Sequence, residues 1–234
     1  MNIIITGAGR GIGFETVKRL SVNPDHTIIA IARDIQLLTK LKFGAAHLNN
    51  LYPVSFDLAK GSISKQLLPQ IYKKFLAVDI LINNAGTLVN KPLQEITDND
   101  LEYVFNVNVL SMFRMIRDLL PMLKNKSRKS HIVNISSIGG VQGSIKFRGL
   151  SAYSSSKGAV SILTECLAEE LKEHNISVNC IALGAVQTEM FQEAFPGCQA
   201  PVLAAQMAEF IANFALTGHQ FFNGKIIPAS LSTP

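Results

Sequence analysis

"NIIITGAGRGIG", Asn2 to Gly13, runs from an apolar, β-branched stretch into glycines and out into a helical pattern. Ile3–Thr6 reads as a strand, the glycines as a tight turn, and the residues after them as a helix opening on that turn. Gly7, Gly11 and Gly13 carry no side chains to obstruct a phosphate approaching the backbone N–H groups of a helix N-terminus. The spacing is T-G-x-x-x-G-x-G rather than G-x-G-x-x-G, and a glycine loop alone is also what an ordinary turn looks like. The fold follows from what comes next, because the strand-then-helix alternation repeats. Further strands are expected at Thr27–Ala32, Tyr52–Phe56, Asp79–Asn83, His131–Ser136, Ser177–Ile181 and Lys225–Ile227. Segments such as Leu101 to Leu123 and Ala159 to Leu171 carry apolar residues at helical spacing. Ile3–Ile5 and Asp79–Ile82 are nearly continuous apolar runs, as in strands covered on both faces. This pattern predicts an α/β fold, a doubly wound parallel sheet with ligands bound outside the carboxyl ends of its strands. No linker, repeat or low-complexity tract interrupts it, so one domain is expected over residues 1–234.

Composition narrows the function classes. The chain has 234 residues, 47% hydrophobic and 17% charged, which suits an ordinary globular core. No apolar run is long enough for a membrane span, and structured sequence begins at Asn2 without a signal peptide, so a cytoplasmic protein is expected. Cys166, Cys180 and Cys198 have no metal or redox spacing and read as small buried apolar residues. The histidines show no paired spacing, so no metal site is expected. A formal charge of +5, from 22 basic and 17 acidic residues, is mild. "KNKSRK", Lys124 to Lys129, reads as a solvated loop, and no nucleic-acid partner is expected.

Chemistry-bearing motifs sit at the strand ends. Asp57 follows the third strand, "NNAG" (Asn83–Gly86) ends the fourth, and "NVNV" surrounds Asn108 on the long helix after it. "NISS" ends the fifth strand at Ser137, Tyr153-x-x-x-Lys157 opens a small-residue helix, and "LGAVQT" ends at Thr188. In this order, with the glycine loop, the sequence resembles the short-chain dehydrogenase/reductase family over nearly its whole length. The resemblance implies a Rossmann-type sheet of about seven strands with helices on both faces. It also implies a nicotinamide nucleotide cofactor and a homodimer or homotetramer.

It further assigns Gly7, Arg10, Gly11, Ile12 and Gly13 to the nucleotide, with Asp57 at the adenine and Thr188 at the nicotinamide carboxamide. For Asp57, helix capping is the alternative. Asn84, Ala85 and Gly86 form the supporting turn beside the cofactor. Ala32 ends the second strand where NAD-preferring relatives tend to place an aspartate, and Arg33 follows. Two arginines, Arg10 and Arg33, suit a 2′-phosphate, which favours NADP(H). NAD(H) remains open, with Asp34 on the ribose and Arg33 in solvent.

Tyr153 and Lys157, four apart on a helix, share one face. A free tyrosine has a pKa of about 10, and a neighbouring ammonium, with an oxidised nicotinamide, would lower it. The resemblance makes Tyr153 the general acid or base. Lys157 would tune it and hold the nicotinamide ribose. Ser137 would bind the substrate oxygen, with Ser136 its rival, and Asn108 would hold a water relaying protons to Lys157. The interval from Ser137 to Tyr153 is longer than is common and suggests a wider, mobile loop. The segment 189–202 is a short substrate loop in which Met190, Phe191 and Phe195 would line an apolar pocket or simply pack. Leu183 replaces a customary proline, and "NGKIIPASLSTP" lacks a "DGG", leaving the terminal contacts open. The expected activity is NADPH-dependent reduction of a carbonyl to an alcohol, as in a carbonyl reductase or a 3-oxoacyl-[acyl-carrier-protein] reductase. A non-catalytic NADP-binding sensor or scaffold is the alternative.

Overall fold

The computed structural model describes residues 1–44, 50–124 and 128–231. Its strands are β1 (Asn2–Thr6), β2 (Thr27–Ala32), β3 (Leu51–Ser55), β4 (Ile80–Asn83), β5 (Ser130–Ser137), β6 (Ile176–Leu183) and, last in the chain, β9 (Ile226–Ala229). They form one seven-stranded sheet in the order β3-β2-β1-β4-β5-β6-β9, and every neighbouring pair is parallel. All seven expected strands are present, with ends displaced by no more than two residues. A small addition was not expected: β7 (Val186–Gln187) pairs with β8 (Val202–Leu203) and ties down both ends of the segment between them.

The continuous isoleucines follow from burial on both faces. Ile4, Ile29, Ile31 and Leu81 face one apolar layer, and Ile3, Ile5, Ile28, Ile80 and Ile82 face the other. Alternation along a strand sends successive side chains to opposite sides. Each such isoleucine contributes roughly 1.5–3 kcal/mol relative to leaving it exposed. One layer is closed by α5 (Ser111–Leu123) and α6 (Ser151–Glu170), the other by α1 (Gly11–Leu20), α2 (Ile35–Gly44) and α8 (Ala204–Thr217). α3 (Leu68–Tyr72) adds Ile71 to the first. The winding reverses between β1 and β4, which opens a crevice at their carboxyl ends.

The long helix after β4 is not continuous. α4 (Asp98–Phe105) and α5 are joined by one wide π turn over Asn106–Leu110. Thr97 and Asp100 form a reciprocal cap at the start of α4, which fixes where it begins. α7 (Glu189–Ala194) lies in the first half of the short segment before β8.

Two expectations are corrected. Of the three cysteines only Cys180 is buried; Cys166 and Cys198 are exposed, because they lie on helix and loop surfaces turned away from both apolar layers. The missing "DGG" costs no docking of the last strand. Asn223 Oδ1 accepts from Val178 N (3.0 Å), Asn223 Nδ2 donates to Ala168 O (3.1 Å), and Gly224 takes the left-handed turn at φ 71°. Of the basic loop, Arg128 and Lys129 flank a small cavity with His131 and His219. Residues 125–127 lie outside the described residues. No helix among the described residues is long and apolar enough to cross a membrane.

Candidate active site

The loops at the carboxyl ends of the strands enclose a cleft of about 600 Å³. One end is built by glycine. Gly7 turns the chain at φ 68°, and α1 begins four residues later. A β-carbon on Gly13 would stand 2.3 Å from Gly7 O and 2.4 Å from Asn84 Nδ2, so only glycine lets the helix come so close to the turn. The turn after β4 is stitched to β1. Asn84 Nδ2 donates to Thr6 O and Gly7 O, both at 3.1 Å, while Asn84 N and Ala85 N donate to Thr6 Oγ1, again at 3.1 Å. Behind it Asn83 Nδ2 donates to Asn134 Oδ1 (2.9 Å) and Asn134 Nδ2 to Thr164 Oγ1 (3.0 Å), so a buried polar chain links β4, β5 and α6. Gly11, Ile12 and Gly86 also line the cleft.

The rim near β2 carries the charged groups. Arg33 Nη1 donates to Tyr103 Oη (3.1 Å), and Arg10 pairs with Glu193 of α7 (3.1 Å). The Asp34 carboxylate accepts from Gln36 N (2.8 Å) and Leu37 N (3.4 Å), so it caps α2. Asp57 accepts from Ala59 N (2.9 Å) in a turn two residues on and lines the cleft beside Leu58. Thr188 caps α7 by accepting from Phe191 N (3.2 Å), and its methyl group faces Gly11.

At the other end stand the hydroxyls. Ser137 closes β5, its Oγ accepts from Gly139 N (3.2 Å), and it lines the cleft together with Tyr153. Ser136, one residue earlier, points the other way and donates to Lys157 O (2.8 Å), so it anchors α6. The alternation of a strand separates the two serines. Lys157 is buried at 4% exposure; its Nζ donates to Ile135 O (2.9 Å) and lies 5.8 Å from the centre of the Tyr153 ring. Burial pulls the lysine pKa down to about 8, with the nearby Cys180 thiol acting the other way. Burial also pushes Tyr153 above its ordinary value, and Ser137 offsets part of this. In the protein alone that direction is opposite to the expected one. Lost hydration of the phenolate is the larger effect and outweighs the lowering by Ser137. Both groups therefore keep their protons near neutrality, a phenol ready to donate beside an ammonium.

The chain matches the family model for short chain dehydrogenase over residues 1–199. The chain belongs to that family. It is 32% identical over 219 residues to a fatty acyl-CoA reductase of Acinetobacter baylyi, spanning 91% of this chain and 72% of that protein. It is 32% identical over 190 residues to carbonyl reductase [NADPH] 2 of Sus scrofa, 81% of this chain and 73% of that one. In structure it is similar to 4-hydroxyisoleucine dehydrogenase complexed with NADH, with TM-score 0.85, 26% identity, and 98% and 96% of the two chains covered. ElxO with NADP bound gives TM-score 0.84, 26% identity and coverage of 97% and 96%. By this membership the protein is an oxidoreductase.

For a short-chain dehydrogenase, this cleft brings together nearly all the residues singled out in the sequence, with one exception. Asn108 is wholly buried beneath the cleft, with its side chain already committed. Its Oδ1 accepts from Thr87 N (2.8 Å), and its Nδ2 donates to Thr87 O (2.9 Å) and Ser156 Oγ (2.9 Å). Its side chain thus braces the loop after β4 against α6. The lengthened interval after Ser137 is also pinned rather than open. Ser144 Oγ donates to Val141 O (2.9 Å), and Lys146 Nζ donates to Val141 O (2.6 Å) and Ser144 O (3.0 Å). Sequence reading missed Tyr103, Glu193 and Phe147, all of which border the cleft or its rim. They come from two helices and a loop whose approach has no local signature. Only Phe147, apolar in a polar glycine-rich loop, offered a hint.

Proposed function

We propose that this protein reduces a carbonyl to an alcohol with NADPH. The observation that carries the reading is that Ser137, Tyr153 and the buried Lys157 line the same cleft as the glycine turn. The cradle fits a dinucleotide: at Gly7 and Gly13 a β-carbon would collide with Ala85 and with Gly7 O, so glycine lets α1 pack tightly on the turn with its N-terminal residues lining the cleft. Gly7, Arg10, Gly11, Ile12, Gly13, Asn84, Ala85, Gly86, Asp57 and Thr188 would hold the nucleotide. Arg33 and Arg10 would receive a 2′-phosphate. Asp34 caps α2 through one carboxylate oxygen, Oδ1, and NADPH is favoured by the two arginines at this rim. The reduced nicotinamide supplies a hydride when bound.

The chain's own groups handle the oxygen. Ser137 Oγ–H and Tyr153 Oη–H both donate to the carbonyl oxygen, polarising it and stabilising negative charge as it builds there. Tyr153 then passes its proton to the alkoxide, and a raised phenol pKa keeps that proton in place until the oxygen becomes the stronger base. Lys157, still cationic near neutrality, stabilises the phenolate that remains and is placed to hold ribose hydroxyls. Asn108 keeps the loop carrying Gly86 against α6. A free small-molecule ketone is the substrate of this reading, and a homodimer or homotetramer in the cytoplasm is its setting.

Tyr153→Phe tests it. Calorimetry should find NADPH bound about as tightly as by the wild type and more tightly than NADH. Turnover of a ketone panel, followed by nucleotide absorbance, should fall by roughly two to four orders of magnitude. Undiminished turnover in that variant would end the assignment.

A further inference from the structure

Beyond Tyr153 the cleft is walled by the loops that follow β4, β5 and β6, and these are tied together. Asn90 Nδ2 donates to Ala194 O (2.8 Å) at the end of α7, and Lys91 N donates to Gly149 O (3.0 Å) just before α6. The wall thus stands before any substrate arrives. Its centre is aromatic. Phe147 meets Phe195 edge-on with centroids 5.9 Å apart, and Phe195 lies 5.3 Å from Phe191. Ile145 and Phe147 line the cleft and yet are 62% and 57% exposed, so apolar surface is left uncovered at its mouth.

Charge is distributed the other way. Among the described residues the charged side chains lining the cleft are Arg10, Arg33, Asp34, Asp57, Lys157 and Glu189. Four of them follow β1, β2 and β3, the Glu189 carboxylate lies beside Gly11, and Lys157 stands behind Tyr153. The aromatic wall has none. Of the nearby cations, Lys146 is spent on Val141 O and Ser144 O and Lys91 on Asp100 at 2.7 Å, while Arg148, next to Phe147, is exposed and outside the cleft lining. A substrate carboxylate laid on this wall would lose water and gain no cation. An apolar group would cover exposed rings and gain from each contact.

We infer that the substrate is an uncharged ketone bearing an aryl or medium-length alkyl group, which lies on the shelf formed by Phe147, Phe195 and Phe191. The inference rests on the reductase reading above and adds to it the chemistry of the group beside the carbonyl.

Two ketones of similar reach separate the possibilities: benzylacetone, uncharged and aromatic, and levulinate, which ends in a carboxylate. With NADPH and wild-type protein, kcat/KM for benzylacetone should exceed that for levulinate about a hundredfold, a ratio set by one buried ring against one unpaired charge. Phe195→Ala should raise KM for benzylacetone about tenfold, with a smaller change in kcat. Phe147→Ala, at an exposed position that folding tolerates, should act in the same direction. Levulinate turned over as well as benzylacetone, or both variants with unchanged KM, would overturn the inference. Calorimetric titration of both ketones into the Tyr153→Phe protein holding NADPH decides it without turnover. Preferential binding of benzylacetone supports it even if neither ketone is reduced, an outcome that would instead defeat the reductase reading. Equal binding, or none by either, overturns it.

Discussion

Lys157 shows how a single side chain can be kept at the expense of the fold that holds it. It is almost completely buried, and burial draws its pKa down to about 8 from an ordinary value near ~10.4. The folded state therefore holds this proton less firmly than the unfolded chain does. Below about pH 8 both states are protonated and the full cost of burying the charge is present. That cost is relieved as pH rises from there towards the unfolded value, so this residue makes stability increase across that window. Lys157→Met should consequently be at least as stable as the wild type at pH 7, despite leaving Ile135 O without its donor. The difference should shrink as pH approaches about 10. Urea unfolding at several pH values measures it, and a variant weaker than the wild type by the same amount throughout would contradict the assignment. A stability gain alongside lost turnover is what a functional residue predicts.

Secondary-structure elements position these groups through contacts that allow little variation. α1 meets the turn after β1 at Gly13, where the opposing atoms are a carbonyl oxygen and an amide already bonded to it. Backbone cannot swing aside as a flexible side chain would. Gly13→Ala should destabilise by about 2 kcal/mol or more and weaken nucleotide binding with it, because α1 must withdraw from the turn. Denaturant midpoints and nucleotide titrations read the two effects together; a fully stable variant with normal nucleotide affinity would show that the approach is looser than described. The π turn between α4 and α5 does comparable work for Asn108. The extra residue in that turn is where Asn108 sits, buried against Thr87 and Ser156, in a helix that periodicity alone reads as unbroken.

The molecule as a whole is most exposed to acid at the end of the sheet opposite the cleft. His131 is fully buried on β5, with Nδ1 donating to Ala215 O (2.9 Å) and Nε2 accepting from Asn179 Nδ2 (3.1 Å). Burial holds its pKa down to about 4, opposed by the bond to Ala215. Its neutral form is the one the fold accommodates. Stability from this site is complete above the ordinary histidine value of ~6.5 and is lost as pH falls from there to about 4. His219, whose ring lies 5.4 Å away, is shifted in the same direction by burial and by Lys129. Unfolding free energy should drop from pH 7 to pH 4, with the lowered His26 and His219 adding to His131, and His131→Gln should take up to about one proton out of the slope. An unchanged slope in that variant would place the acid sensitivity elsewhere.

Local chemistry carried far in this chain. Strand positions, the winding of the sheet and the glycine turn were legible because β-branched runs and glycines act within a few residues of themselves. Ser137, Tyr153 and Lys157 could be named because a strand end and a four-residue helical repeat occur in the order that resembles the short-chain dehydrogenase/reductase family. Other features depended on residues far apart in sequence meeting in space. Which of Ser136 and Ser137 faces the cleft followed from the packing of β5 against α6. Asn108 became a brace because Thr87 and Ser156 take up its amide. Asp34 Oδ1 was engaged by the first turn of α2. The phenol's pKa rose because water is excluded around it, a property of the assembled cleft that no spacing of residues encodes.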